Sequence, residues 1–344
     1  MSLDTSSPLS SADRPGSSMI AFAISAADVR DAARRIAGAV VRTPLLEFAP
    51  LNERVGHRVL VKFEGAQHTG SFKFRGAYNR LSRIRYAQKA AGVVAWSAGN
   101  HAQGGAAAGR LLGTPATIVM PADAPANKVA NTRALGGEIV LYDRYTQSRE
   151  AIATALAAER GAVLVPSFDD PHIIAGQGTV GLEILEQAAD AGATIGRVLV
   201  CCGGGGLVAG IATVISDLQP EVATCSVEPE ALDDTARSLA SGRRETVRSD
   251  ARSICDALLA PSPGALTFPI NKALLAGGLA VTDDQVRAAM RFAFQSMKLV
   301  VEPGGAVALA AALEGLAPPA RGATVVVLSG GNVDPDAYAK ILLG

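Results

Sequence analysis

The stretch VLVCCGGGGLVAGIATVIS, Val198 to Ser216, decides the fold. It carries no charge over 19 residues, which is the length of a membrane span. Four consecutive glycines in its middle forbid a continuous helix, since each costs about 1 kcal/mol relative to alanine in a helix interior. The stretch therefore reads as a buried strand, a glycine loop and a helix. Consecutive glycines let backbone N–H groups turn toward one point, and the helix N-terminus behind them adds positive potential. Gly203 to Gly206 thus read as a phosphate cradle, with a structural glycine turn as the plain alternative. No Lys-Ser/Thr follows as in a Walker loop, and the GxGxxG spacing with a later acid is missing. The phosphate need not belong to a nucleotide.

The same alternation runs outward in both directions. RVLVKF (58–63), GVVAWS (92–97), ATIVMP (116–121), EIVLYD (138–143), GRVLVCC (196–202), ATCSVEP (223–229) and ATVVVLSGG (323–331) read as buried strands. SAADVRDAARRIAG, YTQSREAIATALAAERG and TDDQVRAAMRFAFQSM repeat apolar residues at three and four, the helical period. Ser25 and Thr282 precede two of these runs and are expected N-caps. Strand–helix alternation predicts an α/β fold with mostly parallel sheets, whose ligands bind beyond the carboxyl ends of the strands. Ser97 to His101, Gly203 to Gly206 and Ser329 to Asn332 all fall at such ends.

The 344 residues predict one large or two interleaved domains. Thirty-two basic against 32 acidic side chains leave no footprint for nucleic acid, which points to a small-molecule substrate. Cys201, Cys202, Cys225 and Cys255 have no CxxC spacing, so they read as reduced core thiols of a cytoplasmic protein. The polar opening MSLDTSSPLSSADRPGSS is no signal peptide. Residues 1–18 are expected to be a disordered tail, and Met19 reads as a natural start.

In GSFKFRGA (70–77), Lys73 stands between Phe72 and Phe74. A lone lysine in such a place is ordinarily a surface charge. SAGNHAQG (97–104) follows a strand and opens a helix whose N–H groups could hold a carboxylate. SGGN (329–332) offers a neutral hydroxyl after the last strand. An amine, a phosphate cradle, an amide donor and a hydroxyl together fit pyridoxal phosphate.

The sequence resembles the fold type II pyridoxal-phosphate enzymes, in the threonine dehydratase and serine racemase branch. The likeness runs from about residue 26 to the end, through KFEGAQHTGSFKFRGA (62–77), SAGNHAQG, IVMPADAPANK (118–128), PSFDDPHIIAGQGT (166–179), GGGGL (203–207), EP (228–229), VEPGGAVALAA (301–311) and LSGGNVD (328–334). It implies a tryptophan synthase β-like fold of two three-layer α/β domains. Residues 92–163 would form a small mobile domain, and 19–91 with 164–344 a large cofactor-binding domain. It implies that Lys73 forms the Schiff base with the cofactor and that Phe72 packs on the ring. Asn100 would bond the ring 3-oxygen, Gly203, Gly204, Gly205, Gly206 and Leu207 the phosphate, and Ser329 would face the ring nitrogen with Glu302 near the cofactor. Ser97, Asn100, His101 and the Thr69 region would hold the substrate carboxylate. Glu228 and Asp234, with the Leu232 carbonyl, match the place where relatives bind Mg²⁺ or Ca²⁺; oxygen ligands suit a hard cation.

A neutral hydroxyl at the ring nitrogen stores less charge than a carboxylate-held pyridinium, which favours expulsion of a β-leaving group. The expected activity is a lyase of 3-hydroxy amino acids, L-threonine first and L-serine beside it, giving a 2-oxo acid and ammonia. Serine racemase and 3-hydroxyaspartate dehydratase are the alternatives, with a non-catalytic cofactor-binding relative more remote. Ala98 stands where similar racemases carry a proton-bearing serine, and Phe168 where they carry asparagine. The chain ends 12 residues past Asn332, so a regulatory domain after that motif is not expected. Ala257 replaces a glycine of relatives in SICDALLAPSPG (253–264) and would be strained if the backbone there had positive φ. A homodimer or homotetramer is expected.

Overall fold

The computed structural model describes residues 22–97, 99–124, 126–317 and 320–344, without the side chain of Asn127. The expected tail (1–18), Met19 and Ala98 lie outside the described residues. Among the described residues ten strands form two sheets: β1 (Leu45–Glu47), β2 (Val59–Phe63), β3 (Val93–Trp96), β4 (Ala116–Pro121), β5 (Gly137–Tyr142), β6 (Val163–Leu164), β7 (Ile195–Cys201), β8 (Ala223–Pro229), β9 (Gly277–Val281) and β10 (Ala323–Leu328). The larger sheet has the order β1-β2-β10-β7-β8-β9, the smaller β5-β4-β3-β6. Every pair is parallel except β1 with β2. This is the α/β fold with two mostly parallel sheets that the alternation predicts.

All seven expected strands form. β7, β10, β4 and β8 are buried almost end to end, as parallel strands covered on both faces must be. Ser25 and Thr282 both make capping boxes. Ser25 Oγ accepts from the Asp28 amide and Thr282 Oγ1 from the Gln285 amide, and both partner side chains return the bond. The helix after Thr282 passes into a π-helical turn at Ala293–Met297 and closes on Lys298 in the left-handed region.

The large sheet packs around Val198, Val200, Val325, Val327 and the apolar helix Pro303–Leu313. The small sheet's core takes Val93, Ala95, Ile118 and Met120, and with them Phe74, Ala77 and Leu81 from the helix Lys73–Leu81 and Ile173. The packing unit around the small sheet is thus wider than the 92–163 segment. Among the described residues no helix is long and apolar enough to cross a membrane.

The topology positions the site. β10, the last strand, inserts between β2 and β7. The segment leading to Lys73, the loop after Leu328 and the glycine loop therefore leave the sheet side by side. They open on a cavity of about 600 Å³, which Ser97, Gly99, Asn100 and His101, following β3 of the small sheet, also line.

Candidate active site

Phe72, Lys73, Ser97, Asn100, His101, Gly203 to Gly206, Leu207, Glu302 and Ser329 all line this one cavity. Residues as distant in sequence as Phe72 and Ser329 are brought together there, while Thr69 is not among the lining residues.

Lys73 opens the helix Lys73–Leu81. Its Nζ donates to the Ser167 carbonyl at 2.9 Å and lies 5.1 Å from the centroid of the Phe72 ring. Burial lowers its pKa to about 8, against the upward pull of Cys201 and Glu302. A lysine so held has a neutral, nucleophilic fraction at ordinary pH. The surface-charge reading of Lys73 fails for a geometric reason: the chain before it is stitched to the loop after β10. The Phe72 amide donates to the Ser329 carbonyl at 3.1 Å, and Ser71 bridges Gly330.

The glycine loop is shaped as a cradle. Gly205 has φ +89° and N-caps the helix Gly206–Leu218. A Cβ on Gly204 would lie 2.4 Å from the Phe168 ring, and one on Gly205 2.6 Å from Asn271 Nδ2. Side chains there would collide with Phe168 or with Asn271 and Thr267, so the loop keeps its course only with glycine. Thr267 Oγ1 anchors it from behind by donating to the Gly204 carbonyl at 2.7 Å. The free amides and the helix N-terminus fit a phosphate, and the buried amine fits an aldehyde; together they fit pyridoxal phosphate.

Asn100 and His101 begin the helix Asn100–Leu112. Asn100 Nδ2 donates to Glu302 Oε1 at 2.6 Å. Burial raises the Glu302 carboxyl to about 7 while Asn100 draws it back. His101 Nε2 bonds the Val165 carbonyl at 3.0 Å, and burial with the Lys73 charge lowers its pKa to about 4. The ring is neutral, so Nε2 carries the proton and the buried Nδ1, which has no partner, is an acceptor.

In sequence Cys201 reads only as a core thiol. Its side chain reaches the cavity floor beside Lys73 and Ser329, and burial pushes its pKa up to about 11 against a hydrogen bond from Ser329. It remains a thiol. The cavity wall also holds Lys128, at the end of the motif IVMPADAPANK, and Arg144, Arg149 and Arg244, which no motif contains. Lys128 pairs with Asp256 across the cleft, Arg144 with Asp123 at 2.8 Å, and Arg149 with Glu150 at 3.4 Å. Arg244 donates to the Pro263 carbonyl at 2.7 Å. The scattered arginines leave no pattern in sequence; only folding gathers them.

Ala257 is not strained. It lies in the 3₁₀ turn Asp256–Leu258, and among the described non-glycine residues only Thr69 and Lys298 have positive φ. Away from the cavity, Glu228 accepts from the Thr235 and Ala236 amides at 2.9 and 2.8 Å. Asp234 Oδ2 is buried without a partner. Burial raises Glu228 to about 8, Asp234 adding to it, and raises Asp234 to about 7. Among the described residues no group of three or more His, Cys, Asp or Glu side chains is placed to hold a metal.

Residues 36–331 match the family model described as "Pyridoxal-phosphate dependent enzyme". The chain is 46% identical over 92% of its length to L-threo-3-hydroxyaspartate ammonia-lyase of a Pseudomonas species, covering 98% of that protein. It is 41% identical over 92% of its length to the protein of the same name from Saccharomyces cerevisiae, covering 96% of it. Among solved structures, the T.th. threonine deaminase superposes with a TM-score of 0.85 at 44% identity, over 90% of this chain and 99% of that one. With the half-buried lysine, the glycine cradle and this likeness along nearly the whole chain, the protein belongs to the fold type II pyridoxal-phosphate-dependent enzymes, in the family of the threonine dehydratases, serine racemases and hydroxyaspartate ammonia-lyases.

Proposed function

We propose that this protein is an ammonia-lyase of L-threo-3-hydroxyaspartate, releasing oxaloacetate and ammonia, with L-threonine and L-serine as poorer substrates. The observation that carries the substrate choice is the likeness, at 46% and 41% identity, to two proteins bearing that activity in their names. This weighs the 3-hydroxyaspartate alternative above the threonine expectation. The cavity supplies a physical reason. Its substrate has two carboxylates, and Lys128, Arg144, Arg149 and Arg244 stand in the cavity wall beside Glu150, Asp169, Asp256 and Glu302; among the described residues Arg244 is the one of the four cations without an ion pair. Threonine and serine have nothing to offer a second cation.

When bound, pyridoxal phosphate draws electrons from the bonds at the substrate Cα. Gly203 to Gly206 and Leu207 would hold its phosphate, Phe72 its ring face, Asn100 its ring oxygen and Ser329 its ring nitrogen. Ser97, Asn100 and His101 would hold the carboxylate next to the reacting carbon. Lys73, half-neutral near pH 8, takes the Cα proton. The hydroxyl leaves Cβ with a proton, and water later replaces the amine, so the net products are the oxo acid and ammonia. Ser329 would offer the ring nitrogen a neutral hydroxyl in place of a carboxylate, a partner suited to expulsion of a β-leaving group. For a hard cation at Glu228, Leu232 and Asp234 the one supporting observation is the orphaned Asp234 oxygen, since both Glu228 oxygens are taken by the Thr235 and Ala236 amides.

The test is an oxo-acid assay of the reconstituted enzyme on the three hydroxy amino acids. A kcat/KM at least about tenfold higher for L-threo-3-hydroxyaspartate is expected. A higher value for threonine would make the protein a threonine dehydratase. No oxo acid from any of the three would overturn the lyase reading.

A further inference from the structure

Asn332 joins the three segments that build the site. Its Nδ2 donates to the Thr69 carbonyl at 2.7 Å and to Asn100 Oδ1 at 2.8 Å. Asn100 Nδ2 in turn donates to Glu302 Oε1 at 2.6 Å. The polarity of this chain has one origin. A backbone carbonyl only accepts, so the end of Asn332 that meets Thr69 must be its NH₂. Both N–H groups of that NH₂ are then committed, one to Thr69 and one to Asn100. Asn100 must answer with its oxygen and turn its own NH₂ toward Glu302 and the cavity.

The backbone around Thr69 is bent to serve this contact. Thr69 has φ +61°, unusual for a β-branched residue, and Gly70 follows at φ +72°. A Cβ on Gly70 would lie 2.6 Å from Asn332 Oδ1, so the close approach needs glycine as well as the left-handed backbone. The Gly331 amide donates to the Gly70 carbonyl at 2.9 Å and pins the two loops together. Lys73 is four residues beyond Thr69 on the same segment.

We infer that Asn332 is a positioning residue: through the Thr69 carbonyl it fixes the orientation of the Asn100 amide, so that Asn100 presents N–H, not C=O, to the cofactor ring oxygen and to Glu302. The inference rests on the cofactor reading above. Without Asn332 the Asn100 amide is free to turn over, and its oxygen would then face both the Glu302 carboxyl and the ring oxygen. The Thr69 carbonyl would lose its partner, while the Gly331–Gly70 bond would still pin the segment that carries Lys73.

The experiment compares the holoenzymes of wild type, Asn332→Asp, Asn100→Ala and the double variant. Asn332→Asp keeps the shape and removes both donors. The expected results are a kcat lowered about 10- to 100-fold in Asn332→Asp and a shift in the pH midpoint of the bound-cofactor absorbance band. The double variant should be no worse than Asn100→Ala within about twofold, because one effect acts through the other. Losses that multiply in the double variant, or an Asn332→Asp enzyme with wild-type turnover and spectrum, would overturn the assignment. If Asn332→Asp does not fold, Asn332→Ala is read by the same two criteria, its thermal midpoint serving as the check on structure. A wild-type protein that shows no cofactor band, or an Asn100→Ala enzyme with wild-type spectrum and rate, would instead overturn the cofactor reading on which the role of Asn100 depends.

Discussion

Two lysines stand eleven residues apart, Lys62 buried in the core and Lys73 half-buried in the cleft, and they do opposite things. Lys62, with no exposed surface, donates to Glu183 at 2.6 Å, to the Thr43 carbonyl at 2.7 Å and to Gln187 Oε1 at 2.8 Å. All three ammonium hydrogens have acceptors. Among the described residues Lys73 has one acceptor within reach, the Ser167 carbonyl. Burial lowers the pKa of both. What separates them is satisfaction. Lys62 belongs to a closed ionic cluster in which Arg75 also joins Glu64 at 2.8 Å and Glu183 at 2.6 Å. Such a cluster fixes the chain and leaves no group over for a reaction. Lys73 is held by packing and left short of partners, which is the condition of a nucleophile.

The sharpest way to break the comparison is to remove each amine in turn. Lys73→Ala should lower kcat more than about 10³-fold and abolish the absorbance band of the bound cofactor, with a thermal midpoint near that of wild type. An active Lys73→Ala enzyme would sink the assignment. Lys62→Met should do the reverse. Removing one member of a buried ionic cluster costs about 3–5 kcal/mol, read as a lowered urea midpoint, while kcat per folded molecule stays within a few-fold. A silent Lys62→Met protein with an unchanged midpoint would show that the cluster serves catalysis and not the fold.

A smaller effect separates the wall cations from both lysines. Among the described residues Arg149 is tied only to its neighbour Glu150, at 3.4 Å, and it faces the cavity. Arg149→Ala is expected to raise KM for 3-hydroxyaspartate about tenfold and to leave KM for serine within about twofold, a loss of one partly solvated ion pair. An equal rise for both substrates would place Arg149 outside the recognition of the second carboxylate.

The difference between the two lysines is only partly visible in sequence. Strand–helix alternation and the run Gly203 to Gly206 expose the fold and the cradle because each is a local pattern. β1, β6 and β9 escape it: the first two have three and two residues, and the third begins with Gly277–Gly278, which reads as a turn. Lys73 is legible through the long motif around it; the same motif opens on Lys62, but nothing in it shows that Glu183 and Gln187 arrive from 121 and 125 residues away to satisfy that amine. The relay from Asn332 to Asn100 to Glu302 spans 232 and 202 positions. Its polarity depends on which end of an amide meets a carbonyl, and no spacing encodes that. The three wall arginines, Arg144, Arg149 and Arg244, are illegible for the same reason.

The gentlest test works on the protein freed of cofactor, where nothing occupies the amine of Lys73. Its folded pKa, about 8, lies below the ordinary 10.5. Between those two values the unfolded chain binds more protons than the folded one, so stability rises with pH across that window. Below pH 8 the folded protein carries the full cost of a poorly satisfied buried ammonium. Lys73→Met removes the charge and keeps most of the volume. The cofactor-free variant should therefore melt a few degrees above cofactor-free wild type at pH 7, and the gap should close as pH rises toward about 10. Lys62→Met should melt below wild type at every pH in that range, because its loss leaves acceptors unpaired where the loss of Lys73 relieves a shortage. If Lys73→Met instead melts below wild type at pH 7, Lys73 is as well satisfied as Lys62, and burial alone has not made it reactive.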